Sequence, residues 1–277
     1  MRSLESFDDQ CPAPEVLFKE ATVALSPSRL PGLDLALNPY TRCGHDCTYC
    51  YAPYIMRVSP GEWGRGVVAK ANLPKLLEKE LPRKKGVIGL GTVTDPYQPA
   101  EARLGLTRRC LEVLCRHGAK VSVLTKSALV DRDADLLSRM PSSEVGLTVT
   151  SISDERASIF EPCASPPSRR LRAVRALRDA GVSVYVFLGP VVPTVTDTDL
   201  EALVGAIADA GARMVMADRL NLRPGMQARM VEVMARKSPG SVDEFIREVS
   251  SPDYYARTLD KIRQLATARG IEYRDAF

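Results

Sequence analysis

The feature that most constrains the fold is an alternation of short apolar runs with amphipathic segments, which extends over most of the chain. The runs, such as "GVIGLGT" at 86–92 and "VSVYVFLG" at 182–189, are typical of strands that are buried on both faces. The segments between them have helical spacing, and several end at glycine. About six strands joined through helices predict a mostly parallel sheet with right-handed crossovers.

Polar loops follow the apolar strands, which favours a barrel or partial barrel with its chemistry at the carboxyl ends of the strands. A flat doubly wound sheet is the alternative, but such a sheet usually opens with a glycine-rich phosphate turn. Here the first predicted strand, "GLDLAL" at 32–37, leads into cysteines instead.

The chain has 277 residues, which is enough to bury a large core without covalent staples. Its net charge of +4 neither requires nor excludes an anionic partner. No apolar run has the length of a membrane span, and the acidic N-terminus lacks an apolar signal core. We therefore expect a cytoplasmic protein with no membrane partner.

Three of the seven cysteines lie in "TRCGHDCTYCY" at 41–51, with the spacing C-x3-C-x2-C. A structural zinc site needs four ligands, and among other side chains only His45 is nearby. A redox pair of Cys47 and Cys50 leaves Cys43 unexplained. Three thiolates on a four-iron cluster leave one iron open, and an open iron can chelate the amine and carboxylate of S-adenosylmethionine (SAM).

This loop resembles the motif of the radical SAM superfamily, with the aromatic Tyr49 directly before the third cysteine. Further segments between Asn38 and Asp218 resemble the spore photoproduct lyase-like branch, also called DNA repair photolyase-like: "TVTDPYQPAE", "VLTKS", "FEPCASPPSRRL" and "LGPVVP". The resemblance implies an α/β fold, a partial (β/α)6 TIM-type barrel with a mostly parallel sheet. We expect an irregular arm over 1–32, the barrel over 33–238 and a helical extension over 239–277.

The resemblance also implies a radical SAM enzyme, lyase-like or modifying, with Cys43, Cys47 and Cys50 as ligands of a [4Fe–4S] cluster. Reductive cleavage of SAM would give a 5′-deoxyadenosyl radical that abstracts hydrogen from a substrate. The substrate is unassigned, with nucleic acid favoured over a metabolite or peptide, and the reductant would be a flavodoxin or ferredoxin. The alternative is a non-catalytic interaction protein that binds zinc or a cluster.

Residues that match the family's strand ends are predicted to contact SAM. Thr94 and Asp95 would face its amino group and Lys126 its carboxylate. The complete predicted set is Tyr49, Thr94, Asp95, Lys126, Thr148, Ser151, Arg170 and Val192. Two alternatives stay open: Asp95 is also suited to a turn before a proline, and Arg170 to a scaffold pair with Glu161.

One departure from the family pattern concerns the reaction. The DNA-repair lyase has a hydrogen-donating cysteine at the position of Thr92, whose O–H bond is too strong for that role. We therefore expect a reaction other than that of spore photoproduct lyase, with Cys163 as the spare cysteine near the barrel mouth. Candidates for the substrate side are Tyr97, Gln98, Glu101, Arg219, Asn221 and Arg223. For the two arginines after the last strand, solvated surface positions are the default alternative.

Overall fold

The computed structural model describes residues 14–140 and 142–276, which form two β-sheets surrounded by helices. The strands are β1 (Glu15–Lys19), β2 (Ser26–Pro27), β3 (Leu35–Leu37), β4 (Tyr40–Thr41), β5 (Gly66–Lys70), β6 (Val87–Leu90), β7 (Lys120–Thr125), β8 (Glu144–Thr148), β9 (Ser183–Val191), β10 (Met214–Arg219) and β11 (Glu272–Asp275).

The α-helices lie mainly between the strands of the larger sheet. They are α1 (Ala52–Met56), α2 (Pro60–Trp63), α3 (Leu73–Glu80), α4 (Pro99–Leu104), α5 (Leu106–Arg116), α6 (Ala134–Leu137), α7 (Asp154–Phe160), α8 (Pro167–Asp179), α9 (Leu200–Ala210), α10 (Met226–Lys237), α11 (Val242–Glu248) and α12 (Pro252–Ala268). Within the described ranges, no helix is both long and apolar enough to cross a bilayer.

The larger sheet has the strand order β11-β10-β9-β8-β7-β6-β3-β2. All of its neighbours are parallel except β2 and β3, which are antiparallel. Strands β3 and β6 to β10 supply the six parallel strands of the predicted barrel, and β2 and β11 end the order on opposite sides. The predicted α/β fold, a partial and unclosed barrel with a mostly parallel sheet, is confirmed.

The two flanking regions contain more sheet than the sequence indicated. Strand β1 pairs with β5 in the smaller sheet, where Val16 packs against the buried Tyr40 and Val67. At the other end, β11 lies within the segment 239–277 that was predicted to be helical, and it pairs with β10 to extend the large sheet. Residues 1–13 of the expected arm lie outside the described residues, and the boundaries at 32/33 and 238/239 stay predictions.

The core lies between the large sheet and the crossover helices, as helix α9 illustrates. Asp199 caps this helix by accepting a hydrogen bond from the Ala202 amide at 3.0 Å, and Gly211 ends it at φ 81°. One face buries Leu203, Val204 and Ile207 completely. Burial of one such side chain contributes about 1.5–3 kcal/mol, so these packed faces hold the strand ends in fixed positions.

Candidate functional site

The cysteine loop follows β4 and lies at the carboxyl end of β3, the first strand of the barrel. Cys43 and Cys47 are buried, Cys50 is half-buried, and all three thiols are free. The loop turns through left-handed backbone at Arg42 (φ 64°) and Asp46 (φ 49°). The spacing thus gives a tight loop with three thiols at the end of the barrel where the chemistry is expected.

Two neighbouring elements hold this loop in place. The side chain of Gln98, which is fully buried, accepts from the Gly44 amide at 2.8 Å and donates to the Arg42 carbonyl at 3.1 Å. The Thr48 amide donates to the carbonyl of Phe160, at the end of α7, at 2.8 Å. The prediction that Gln98 lines the substrate side is wrong, because both polar atoms of its side chain bind the loop backbone.

His45 and Asp95 connect the cysteine loop to the ends of β6 and β7. His45 is buried, and its Nδ1 lies 3.3 Å from Oδ2 of Asp95. The Asp95 carboxylate also accepts from the Thr125 hydroxyl at 2.6 Å and from the amides of Tyr97 and Lys126 at 2.9 and 2.8 Å. The bond from the Tyr97 amide favours the turn alternative for Asp95, and its contact with SAM stays a prediction.

Burial disfavours the charged forms of both His45 and Asp95, but each charge stabilises the other. Burial opposes the charged imidazolium, but Asp95 and Cys43 raise the pKa of His45 to about 9. Burial likewise disfavours the carboxylate, yet His45 and the Thr125 and Lys126 donors lower the pKa of Asp95 to about 2. The pair is therefore ionic at neutral pH and connects the cysteine loop to the loop after β6.

A buried ion pair between Glu161 and Arg170 supports Tyr49. The Tyr49 hydroxyl donates to Glu161, which also accepts from the Thr150 hydroxyl at 3.0 Å and from Arg170 Nη2 at 2.5 Å. The side chains of Glu161 and Arg170 are each 1% exposed. Arg170 donates in addition to two backbone carbonyls, those of Thr148 and Ser165. Its donors are thus largely used internally, which favours the scaffold alternative.

Lys126 follows β7 directly, and its ammonium lies 5.6 Å from the centroid of the Tyr49 ring. Burial lowers its pKa, but Cys47, Glu161 and Asp95 outweigh that effect and the net pKa is raised. The ammonium is therefore charged. No residue of the described chain accepts a hydrogen bond from it, so a cation with unused donors lies beside the cysteine loop.

The other predicted SAM contacts differ in how their polar atoms are used. The Thr94 hydroxyl donates to a backbone carbonyl at 3.1 Å, and the Ser151 hydroxyl accepts from a backbone amide at 3.1 Å. Val192 is 1% exposed and offers only an apolar surface. The hydroxyl of Thr148 is buried and has no partner among the described residues. Thr148 and Lys126 are thus the predicted contacts whose side-chain polar atoms make no hydrogen bond within the described residues.

Several residues expected on the substrate side lie elsewhere. Glu101 is buried and accepts from the Tyr40 hydroxyl, and the buried Tyr97 donates to Asp133 at 3.1 Å. These two predictions are wrong, because both side chains are buried and bind scaffold residues. The predicted residues after β10, which are Arg219, Asn221 and Arg223, are exposed. Cys163 is disulfide-bonded, so it offers no free thiol as a hydrogen donor.

Two of the three loop thiols, Cys47 and Cys50, are held in the protonated form in the metal-free protein. Burial raises the pKa of Cys47 well above its usual range and that of Cys50 to about 11. A metal centre must displace these protons, because thiolate is the ligand form. Within the described ranges, no three His, Cys, Asp or Glu side chains converge on the position of a single metal ion.

These residues fit an iron–sulfur cluster with a charged cofactor bound to it. The three free thiols would hold the cluster, and the Lys126 ammonium and the Thr148 hydroxyl would contact the cofactor. His45, the other potential ligand in the loop, is directed to Asp95. A cofactor with a carboxylate or hydroxyl groups would meet a charged donor and a free hydroxyl at the strand ends.

Comparison with known proteins gives the family. The radical SAM superfamily matches residues 37–207. An uncharacterized protein of Methanocaldococcus jannaschii is 34% identical over 186 residues, 67% of this chain and 71% of that protein. An uncharacterized protein of Mycobacterium tuberculosis is 32% identical over 244 residues, 83% of this chain and 72% of that protein.

Solved structures share the fold. A mutant spore photoproduct lyase with bound AdoMet and dinucleoside spore photoproduct gives a TM-score of 0.71 at 14% identity, over 95% of this chain and 82% of that chain. A radical SAM methyltransferase of Kitasatospora setae, with cobalamin and a [4Fe–4S] cluster, gives 0.54 at 18% identity, over 72% of this chain and 37% of that chain. Because the family match covers more than half of the sequence, this chain belongs to the radical SAM superfamily, whose cofactors are a [4Fe–4S] cluster and S-adenosylmethionine.

Proposed function

We propose that this enzyme uses Cys43, Cys47 and Cys50 to hold the cluster, and Lys126 and Thr148 to orient SAM, for hydrogen abstraction from a nucleic acid. The family match supports radical SAM catalysis in general. The assignment of individual residues and of the substrate is our proposal.

The observation that carries the residue assignment is the environment of Lys126. Its ammonium lies over Tyr49 beside the cysteine loop, with neighbouring negative charge from Glu161 and Asp95 but no hydrogen bond to either. Charge-assisted hydrogen bonds to a carboxylate are about twice as strong as neutral ones. A cation held in this way is suited to the carboxylate of a bound amino acid.

A cluster held by Cys43, Cys47 and Cys50 would supply the one-electron chemistry that cleaves SAM reductively. The protein contributes orientation and exclusion of water. Tyr49 and Val192 offer buried apolar surface for the adenosyl group, and Thr148 offers a hydroxyl. The Glu161–Arg170 pair fixes Tyr49 from below.

Three observations support a nucleic acid as the substrate. The spore photoproduct lyase structure, which shares the fold, contains a dinucleoside. The net charge of this chain is +4, and Arg219 and Arg223 are exposed after the last barrel strand. Arginine is suited to phosphate because its planar donors match the phosphate oxygens.

The reaction itself is proposed to differ from that of the lyase. Thr92, which stands at the position of the lyase's hydrogen-donating cysteine, has a hydroxyl that is bound to Asn38 after β6. A hydroxyl is a poor donor of a hydrogen atom, because its O–H bond is too strong.

The test is anaerobic reconstitution with iron and sulfide, followed by dithionite and SAM. We expect brown protein with about four irons per chain, and 5′-deoxyadenosine among the products. Cys47→Ala should abolish both the colour and the product, whereas Cys115→Ala, outside the loop, should change neither.

The same assay distinguishes the proposed enzyme from the alternative, a non-catalytic interaction protein. Colourless protein with one tightly bound zinc and no 5′-deoxyadenosine would support a non-catalytic interaction module and contradict the proposal. For the substrate, single-stranded DNA, duplex DNA and RNA are added in separate reactions. The proposal expects one of them to raise the yield of 5′-deoxyadenosine; no stimulation by any of them would contradict nucleic acid as the substrate.

A further inference from the structure

The peptide groups on either side of Cys43 are both bound by one side chain. Gln98 Oε1 accepts from the Gly44 amide at 2.8 Å, and Gln98 Nε2 donates to the Arg42 carbonyl at 3.1 Å. These are the peptide units that follow and precede Cys43. A primary amide can act as donor and acceptor in one plane, so Gln98 substitutes here for the edge of another backbone strand.

The local backbone shows why such a support is needed. Arg42, directly before Cys43, has φ 64°, a left-handed conformation that costs roughly 1 kcal/mol or more for a residue other than glycine. Such a conformation persists only when its surroundings fix it. Gly44 leaves little space for a side chain, because a Cβ at this position would lie 3.2 Å from Pro14 Cγ, which is closer than most real Cβ contacts.

The position of Gln98 in the chain points the same way. Gln98 is the residue that precedes helix α4, where Ser, Thr, Asp or Asn would normally cap the helix with its side chain. Gln98 makes no such cap, and its longer side chain reaches the cysteine loop instead. The side chain is completely buried, so solvent cannot replace it.

The other end of the loop has separate supports. The Thr48 amide binds the Phe160 carbonyl at 2.8 Å, and the Tyr49 hydroxyl binds Glu161. These contacts involve the two residues that directly follow Cys47, and their partners lie at the end of α7 and just after it, not on the loop after β6. Cys43 and Cys47 are thus positioned by different parts of the fold.

We infer that Gln98 is a positioning residue that presents Cys43 to the cluster, and this inference rests on the proposed function of the cysteine loop. A cluster with three protein ligands is sensitive to each of them, and ligand placement depends on the hydrogen bonds behind the ligands. Without Gln98, the left-handed turn before Cys43 relaxes while Cys47 and Cys50 stay in place.

The test compares Gln98→Leu, which removes both hydrogen bonds, with Gln98→Glu, which keeps an acceptor for Gly44 and removes the donor to Arg42. Gln264→Leu, in which an exposed side chain on α12 is lost, is the matched control. Hydrogen exchange is measured first on the metal-free proteins. We expect exchange of the 42–44 amides to become about tenfold faster in Gln98→Leu, with no change at 47–50.

Iron retention is measured next on reconstituted protein, by the rate of iron release to a chelator and the electron paramagnetic resonance spectrum of the reduced cluster. We expect release to be at least severalfold faster in Gln98→Leu and intermediate in Gln98→Glu, with an altered spectrum in both. Wild-type exchange, release and spectra in Gln98→Leu would overturn the inference.

If Gln98→Leu fails to fold, the same three measurements on Gln98→Glu decide, and wild-type values there would overturn the inference. Failure of the proposed function has a different signature. In that case wild-type protein takes up no cluster, and the exchange data on metal-free protein alone support or overturn the role of Gln98.

Discussion

Two groups of buried charges in this enzyme differ in how completely their polar atoms are paired. The outer network, on the helical side of the barrel, consists of Glu101, Asp133, Arg108 and Arg132. Asp133 accepts from both arginines and from Tyr97, at 2.8 to 3.1 Å. Both carboxylates are fully buried, while the arginines are 32% and 28% exposed and remain partly hydrated.

The mouth network, beside the cysteine loop, consists of Tyr49, Asp95, Lys126, Glu161 and Arg170. Its carboxylates are also paired. In contrast, the ammonium of Lys126 has no hydrogen bond among the described residues, and the neighbouring Thr148 hydroxyl has none either. Unpaired buried polar groups cost about 1–3 kcal/mol each. The difference supports our proposal that the mouth network binds a ligand, because a bound carboxylate would accept from the ammonium and a bound polar group would pair with the hydroxyl.

The largest expected effect is a loss of stability when the outer network is broken. Asp133→Ala leaves two arginines and the Tyr97 hydroxyl without their shared acceptor, so the free energy of unfolding should fall by about 3 kcal/mol. Urea unfolding of the metal-free protein measures this change. The control Asp135→Ala removes a half-exposed partner of Arg108 and should cost less than about 1 kcal/mol. Equal losses in the two variants would mean that the outer network is not a scaffold.

The next prediction concerns the unpaired ammonium. Lys126→Met removes the charge and keeps most of the side-chain volume, so unfolding free energy should change by less than about 1 kcal/mol. The dissociation constant of SAM should rise by roughly tenfold to a hundredfold, because a charge-assisted hydrogen bond is lost. Anaerobic calorimetry of reconstituted protein measures the binding. Iron content should stay at the wild-type level.

The control for this variant is Lys261→Met, at an exposed position of α12, which should leave SAM binding unchanged. A loss of iron in Lys126→Met would show that the ammonium supports the cluster loop and not the cofactor. Unchanged SAM affinity would remove Lys126 from the binding site.

The smallest expected effect compares a paired and an unpaired hydroxyl at the end of one strand, β8. Thr148→Val replaces an unpaired buried hydroxyl by a methyl group, so the metal-free protein should be as stable as wild type or more stable by up to about 1 kcal/mol. Thr150→Val removes a hydroxyl that binds Glu161 at 3.0 Å and should lower stability by about 1 kcal/mol. Thermal unfolding of both proteins checks the difference. Equal destabilisation would show that Thr148 is paired in solution.

The sequence predicted the parallel sheet because each strand is a continuous apolar run, and burial on both faces needs no long-range information to be recognised. The spacing of the cysteines predicted a loop with three thiols for the same reason, since their separation along the chain is local. Strand β1 was missed because its residues are mostly exposed and pair with β5, which is distant in sequence.

The sequence by itself determined the fold class, the thiol loop and the charged residue types at the strand ends. Tertiary structure decided which of those side chains remain available. Gln98, Tyr97 and Glu101 are polar residues after a strand, and nothing in their local sequence shows that they bind the loop and the scaffold. Lys126 and Thr148 look no different in sequence, yet their side-chain polar atoms have no hydrogen-bond partner between residues 14 and 276 as described. Pairing depends on which groups the fold brings within about 3 Å, and that is a property of the packed chain.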